Sequence, residues 1–140
     1  MSESYLIDAS ACHRLVRNAA VAREWNEVVE KGRVGVSGYT QLELVHGMSD
    51  RAHPAFVERD LLNALTWTVD PDGVVRRAKQ VQGMLRERSW HQGPGVVDLL
   101  VAATAQLLGL TLLHYDADFE TIAKVTGQPH RWIAVRGSVS

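Results

Sequence analysis

Five carboxylates stand where acids could do chemistry together. Asp8 follows the apolar triplet Tyr5-Leu6-Ile7, and Glu43 lies within Leu42-Glu43-Leu44-Val45. Asp98 is flanked by Val96-Val97 and by Leu99-Leu100-Val101-Ala102-Ala103, while Asp116 and Asp118 come just after Thr111 to His114. An ionised carboxylate among apolar neighbours is costly unless something pairs with it. Acids brought together raise one another's pKa unless a cation or a shared proton compensates. From Gln92 to Ala123 there are four carboxylates (Asp98, Asp116, Asp118, Glu120) and no Lys or Arg. A divalent cation is the natural compensator, and all-oxygen ligands select a hard ion, Mg2+ or Mn2+, over zinc. No histidine pair at i, i+4 and no CxxC offers a competing zinc site.

Such an ion suits phosphate chemistry, because it serves an in-line displacement by water without a side-chain nucleophile. Other phosphate or acyl machinery is absent: there is no GxxxxGK[ST], no GxGxxG and no G-x-S-x-G. Ser10 and Ser37 have no evident His–Asp partners, and Cys12, in the first turn of a helix, reads as a small core residue. Taken singly, each acid has a plainer role. Asp8, Asp98 and Asp116 could cap helices, and Glu43 could face water. Their conjunction is what points to a site.

The elements that must position these acids alternate strand and helix. Tyr5-Leu6-Ile7, Val34 to Ser37, Trp67-Thr68-Val69, Thr111 to His114 and Trp132 to Val135 read as five short strands. Between them, helices are expected over Ala11 to Asn18 (with Ser10 as N-cap), from Val21 to the stop at Gly32, over Tyr39 to His46, and from Pro54 through Phe56, Leu61, Leu62 and Leu65. Others run from Gly73 to Arg88, from Val97 to a stop at Gly109, and from Phe119 to Thr126. Strands alternating with helices imply an α/β fold of three layers, a parallel five-stranded sheet with helices on both faces. Ligands bind outside the carboxyl ends of such strands, where Asp8, Glu43, Asp98 and Asp116 would all arrive.

At 140 residues, 46% of them hydrophobic and 22% charged, the chain is expected to form one domain, residues 1–140, with a core that needs no staples. Disorder is excluded by this composition. No apolar run approaches a membrane span, and neither a membrane span nor a secretory signal is expected. With a single cysteine, these features fit the cytoplasm. A net charge of −1 gives no global field for nucleic acid. Locally, Val75 to His91 carries five cations (Arg76, Arg77, Lys79, Arg86, Arg88) against Glu87, a cationic helix followed by an acidic stretch.

The ordered set Tyr5-Leu6-Ile7-Asp8-Ala9-Ser10-Ala11, Thr40-Gln41-Leu42-Glu43-Leu44, Asp98 to Ala105 and His114-Tyr115-Asp116-Ala117-Asp118-Phe119 resembles the PIN-domain ribonucleases. Within them it is similar to the VapC toxins of bacterial VapBC toxin–antitoxin pairs, from about residue 5 to residue 135. The resemblance implies a Mg2+- or Mn2+-dependent endoribonuclease that hydrolyses RNA phosphodiester bonds with a metal-activated water. It implies a VapB-like antitoxin that blocks the toxin, contact with promoter DNA only through that antitoxin, and a homodimer. By position, Asp8, Glu43, Asp98 and Asp116 match the family's acidic quartet, Asp118 a further acid, and Ser10 a hydroxyl near the metal. His114 departs from the pattern, standing where the family often has Ser or Thr. Arg76, Arg77, Arg86 and Arg88 could grip RNA phosphates, and Trp25, Trp90 and Trp132 could stack bases or pack internally.

Other classes fit less well. A receiver-like phosphoacceptor needs paired acids after the first strand and a Lys after the fifth, and a phosphatase with an Asp nucleophile needs D-x-D where this chain has Asp8-Ala9-Ser10. A PIN module that binds RNA without cutting it remains as the alternative.

Overall fold

A computed structural model describes residues 3–49, 59 and 61–140. Five strands form one all-parallel sheet in the order β3-β2-β1-β4-β5: β1 Tyr5–Ile7, β2 Val34–Val36, β3 Thr66–Trp67, β4 Thr111–His114 and β5 His130–Trp132. Among the described residues six α-helices connect them: α1 Ala9–Arg17, α2 Ala19–Glu30, α3 Gly38–His46, α4 Val74–Glu87, α5 Val96–Leu108 and α6 Ala117–Thr126, with a 3-10 turn at Leu62–Ala64. Parallel strands buried on both faces need apolar side chains on both, and β1, β2 and β4 are buried throughout.

Alternation along the strands splits the core in two. Tyr5, Ile7, Val34, Val36, Leu113 and Ile133 pack with Ala11 and Cys12 of α1 and with Val21 and Trp25 of α2. On the opposite face Leu6 and Leu112 meet Val74, Ala78, Val81 and Leu85 of α4, the apolar side of α5, and Phe119 and Ile122 of α6. This is the expected three-layer arrangement. Gly35 shows how tightly the sheet closes: a Cβ there would stand 2.8 Å from Thr68 Cγ2. Among the described residues no helix is long and apolar enough to cross a membrane.

Some boundaries differ from those expected. The last strand is His130–Trp132 rather than Trp132 to Val135, because β4 ends at His114, which pairs with Trp132. The apolar run Ile133-Ala134-Val135 therefore extends past its ladder, and Val135 is exposed. Likewise β3 is Thr66–Trp67, with Thr68 N and Oγ1 both donating to Val36 O before Val69 turns out to solvent. Helix α1 begins two residues early, at Ala9, because Asp8 and not Ser10 is its N-cap. The helix expected from Pro54 and Phe56 lies outside the described residues, apart from its end at Leu61 to Leu65.

Candidate active site

The register of β1 against β4 sets the centre of the site. Ile7 pairs with Leu113, so Asp8 leaves the sheet level with His114, and its N–H still donates to Leu113 O at 3.0 Å. Asp8 is extended, caps α1 by accepting from Ala11 N at 3.0 Å, and is only 4% exposed. The Ser10 hydroxyl is shared between both Asp8 oxygens, at 2.8 Å each, and accepts from Tyr115 N at 2.8 Å. Since a hydroxyl has one proton, the Tyr115 amide fixes its direction and the proton points at the carboxylate. Ser10 thus ties the acid after β1 to the loop that carries Asp116.

The other acids arrive at helix N-termini. Asp98, in the first turn of α5, accepts from Gly95 N at 2.9 Å. Asp116 caps α6 by accepting from Asp118 N at 2.9 Å. Thr40 Oγ1 donates to Ile7 O at 3.3 Å, which holds the start of α3, and with it Glu43 one turn later, against the end of β1. Capping thus leaves Asp8, Asp98 and Asp116 at helix starts beside the carboxyl ends of the strands. N–H groups and dipoles at three helix starts offset part of the negative charge.

His114 occupies the position of the departure. It is fully buried beside Phe119, His130 and Trp132. Its Nδ1 accepts from Asp116 N at 3.2 Å, so the ring proton sits on Nε2, facing His130 Nδ1 at 2.9 Å. Burial, and then the neighbouring His130, push its pKa down to about 4. A neutral ring thus supplies the acceptor that orders the Asp116 loop and adds no charge to the acids.

Electrostatics record the crowding. Burial pushes Asp8 up to about 7, opposed by the bonds from Ala11 and Ser10, with the charge of Asp98 adding to the rise. Burial likewise pushes Asp98 up to about 6, and Asp116, Glu43 and Asp118 all add to it. Asp118 is raised by burial and by Asp116. Asp98 is thus coupled to every other acid of the set. No ion pair reaches these acids among the described residues. As the side chains stand, no group of three or more His, Cys, Asp or Glu among the described residues is arranged to hold a metal ion. Three of the carboxylates, Asp8, Asp98 and Asp116, accept from backbone amides.

The PIN domain family model matches residues 5–125. The chain belongs to the PIN-domain family. It is 39% identical over 128 residues to Ribonuclease VapC2 of Mycobacterium tuberculosis (strain CDC 1551 / Oshkosh), spanning 90% of this chain and 89% of that relative. Ribonuclease VapC51 of the same species (strain ATCC 25618 / H37Rv) is 39% identical over 140 residues, with 99% of each chain covered. In structure, the chain is similar to a DNA-bound VapBC from Salmonella typhimurium, with a TM-score of 0.78 at 17% identity over 95% of this chain and 100% of the other. VapBC-1 of nontypeable Haemophilus influenzae gives 0.74 at 17% identity, covering 92% and 97%.

The cationic helix of this PIN domain divides along its length. Arg86 and Arg88 stand at the C-terminal end of α4, where the chain turns toward α5 and Asp98. Arg76 and Arg77 are about 15 Å away along the helix axis. Arg77 Nε donates to Gln106 Oε1 at 2.6 Å, near the far end of α5, and its Nη1 to Gln80. Of the tryptophans, Trp25 is core: it is buried, and its Nε1 donates to Ile133 O at 2.9 Å. Trp132 is half-buried, with Nε1 on Glu120 at 2.7 Å. Trp90 stays open, at 37% exposure, as does Trp67 at the end of β3, at 57%.

Two positioning features escape a linear reading. Ser37 caps α3 by accepting from Thr40 N at 3.3 Å, but nothing local tells that the Thr40 hydroxyl reaches Ile7 O. The Gly93 loop lies against Asp118, a Cβ at Gly93 standing 3.5 Å from Asp118 Oδ1, and its only sign was the turn sequence Gly93-Pro94-Gly95.

Proposed function

We propose that this PIN domain is the toxin of a toxin–antitoxin pair, an endoribonuclease that hydrolyses RNA phosphodiester bonds with Mg2+ or Mn2+. The observation that carries the reading is the arrival of Asp8 and Asp116 after the paired strands β1 and β4, with Asp98 in the first turn of α5, and no cation paired to any of them among the described residues. Identity to the Ribonuclease VapC proteins over nearly the whole chain supports the same activity.

The donor set fits a hard divalent ion, since it is all oxygen, acidic, and partly desolvated in Asp8 and Asp98. Asp8, Asp98 and Asp116 would hold the ion, with Glu43 and Asp118 beside them. When bound, such an ion polarises a phosphoryl oxygen, lowers the pKa of water and neutralises charge in the displacement. The chain's own residues do the rest. Ser10 keeps the Asp8 carboxylate aimed from the end of β1, with its proton committed to that acid. The neutral His114 ring holds the Asp116 amide and so the direction of the α6 cap.

Arg86 and Arg88 supply cations for the RNA backbone at the end of α4 nearest the acids. Exposed Leu42 and Val45 on α3, together with Val96 at the start of α5, offer an apolar face for a homodimer. A VapB-like antitoxin is the expected inhibitor, and promoter DNA is reached through it. Structural neighbours that are VapBC complexes support that partner.

The test is cleavage of RNA by the purified protein with Mn2+, with chelator, and with Asp98→Asn. Loss of cleavage in the last two, with the fold retained, is expected. Cleavage that survives chelation overturns the metal reading. Binding without cleavage would leave the chain as an RNA-binding module.

A further inference from the structure

We infer that Trp90 forms a nucleobase-stacking subsite beside the acids, and so selects how RNA lies across them. The inference rests on the ribonuclease reading. It starts from the end of α4, where Ser89 takes φ 60 and the chain closes with Ser89 N on Arg86 O at 3.0 Å and Trp90 N on Leu85 O at 2.9 Å. That 6→1 bond after a left-handed residue is a Schellman closure, usually built on glycine. It pins the Trp90 backbone before any ligand arrives.

The side chain is placed for a flat ligand. Arg88 lies with its guanidinium carbon 5.1 Å from the Trp90 ring centroid, and the indole is 37% exposed. Trp25 and Trp132 commit their indole N–H groups to Ile133 O and Glu120, whereas Trp90 Nε1 donates to nothing among the described residues. With Gly93, Thr121 and Lys124, Trp90 lines an open cleft of about 380 Å³. An aromatic ring flanked by two cations is what a single-stranded nucleotide needs, a face for the base and charge for its phosphates.

Position links the cleft to the reaction. The point where a Gly93 Cβ would stand is 3.5 Å from Asp118 Oδ1 and 3.7 Å from Trp90 O. One glycine therefore separates the tryptophan's backbone from an acid of the site. A base on Trp90 leaves the adjoining phosphate to run toward Asp118 and Asp98, and Arg88 and Lys124 offset the repulsion it meets there.

The experiment uses the Asp98→Asn protein and a fluorescein-labelled oligoadenylate of about ten nucleotides, read by anisotropy in the presence of Mn2+. Trp90→Ala should weaken binding by about tenfold, in the lower half of what one stacked base contributes. Trp90→Phe should restore most of it, and the thermal midpoints of both should match the parent. Unchanged binding by Trp90→Ala, or equal loss in Ala and Phe variants, overturns the subsite. Wild-type cleavage of RNA is measured alongside. If it persists while Trp90→Ala binds normally, only the stacking inference falls. If the wild type neither cuts nor binds RNA, the ribonuclease reading falls and takes the subsite with it.

Discussion

Replacing Asp8 with Asn should make the metal-free protein more stable at pH 8, although Asp8 caps a helix. The carboxyl is buried and its pKa stands at about 7 in the folded protein, against its ordinary value of 3.8. A folded pKa raised above the unfolded one means that the native state holds a proton the unfolded chain releases. Stability is then full below about pH 4, falls as pH rises through the interval to 7, and levels off above it. A gap of about three units corresponds to about 4 kcal/mol at pH 8. Asn keeps an oxygen for Ala11 N but gives a weaker acceptor to Ser10, at a loss of about 1 kcal/mol. The net gain is about 3 kcal/mol, or roughly 10 °C in Tm for a chain of this size. His114 acts oppositely: its pKa, lowered to about 4, withdraws stability as pH falls from 6.5. The comparison is therefore mutant against wild type at each pH, which cancels that contribution. Thermal unfolding of both proteins in EDTA at pH 5, 6.5 and 8 measures it. A gain that grows with pH is expected, and adding Mn2+ should raise the wild type's Tm while leaving Asp8→Asn nearly unmoved. Equal destabilisation of the mutant at pH 5 and pH 8 would refute the reasoning, since Asp8 would then be no more than a cap.

Ser10→Ala removes the bridge between the Asp8 carboxylate and Tyr115 N and should destabilise by about 1–2 kcal/mol in urea unfolding, with a drop in RNA cleavage. His114→Ala leaves Asp116 N without its acceptor and opens a cavity beside Phe119. A loss of about 3 kcal/mol is expected, and one under 1 kcal/mol would show that the ring is not needed. Ser89→Gly relieves the left-handed backbone before Trp90 and should raise stability by about 0.5–1 kcal/mol in the same assay. Trp25→Phe loses the bond to Ile133 O and should cost about 1–2 kcal/mol without moving the cleavage rate of a folded sample.

Local composition carried much of the architecture. Tyr5-Leu6-Ile7 and Thr111 to His114 coincide with β1 and β4, since a short apolar run between turn signals has little choice but a central parallel strand. The inner face of α4 (Val74, Ala78, Val81, Leu85) and the stop at Gly109 were legible for the same local reason, a period of 3.6 and a left-handed terminator at φ 68. The edge strands were displaced because their limits belong to the neighbouring strand. Ile133-Ala134-Val135 has strand composition, and β4 ends too soon to pair with it.

The residue types alone determined that this chain holds acids its own neighbours in sequence cannot neutralise, after strands and at helix starts. That follows from short-range chemistry, as burial and charge can be read along the chain. Which acids face one another was decided by the register of β1 on β4 and the packing of α3 and α5. So was the seating of the Gly93 loop against Asp118. Those outcomes depend on contacts between residues far apart in sequence, where a one-residue shift in pairing would turn Asp8 away from Tyr115 and undo the site.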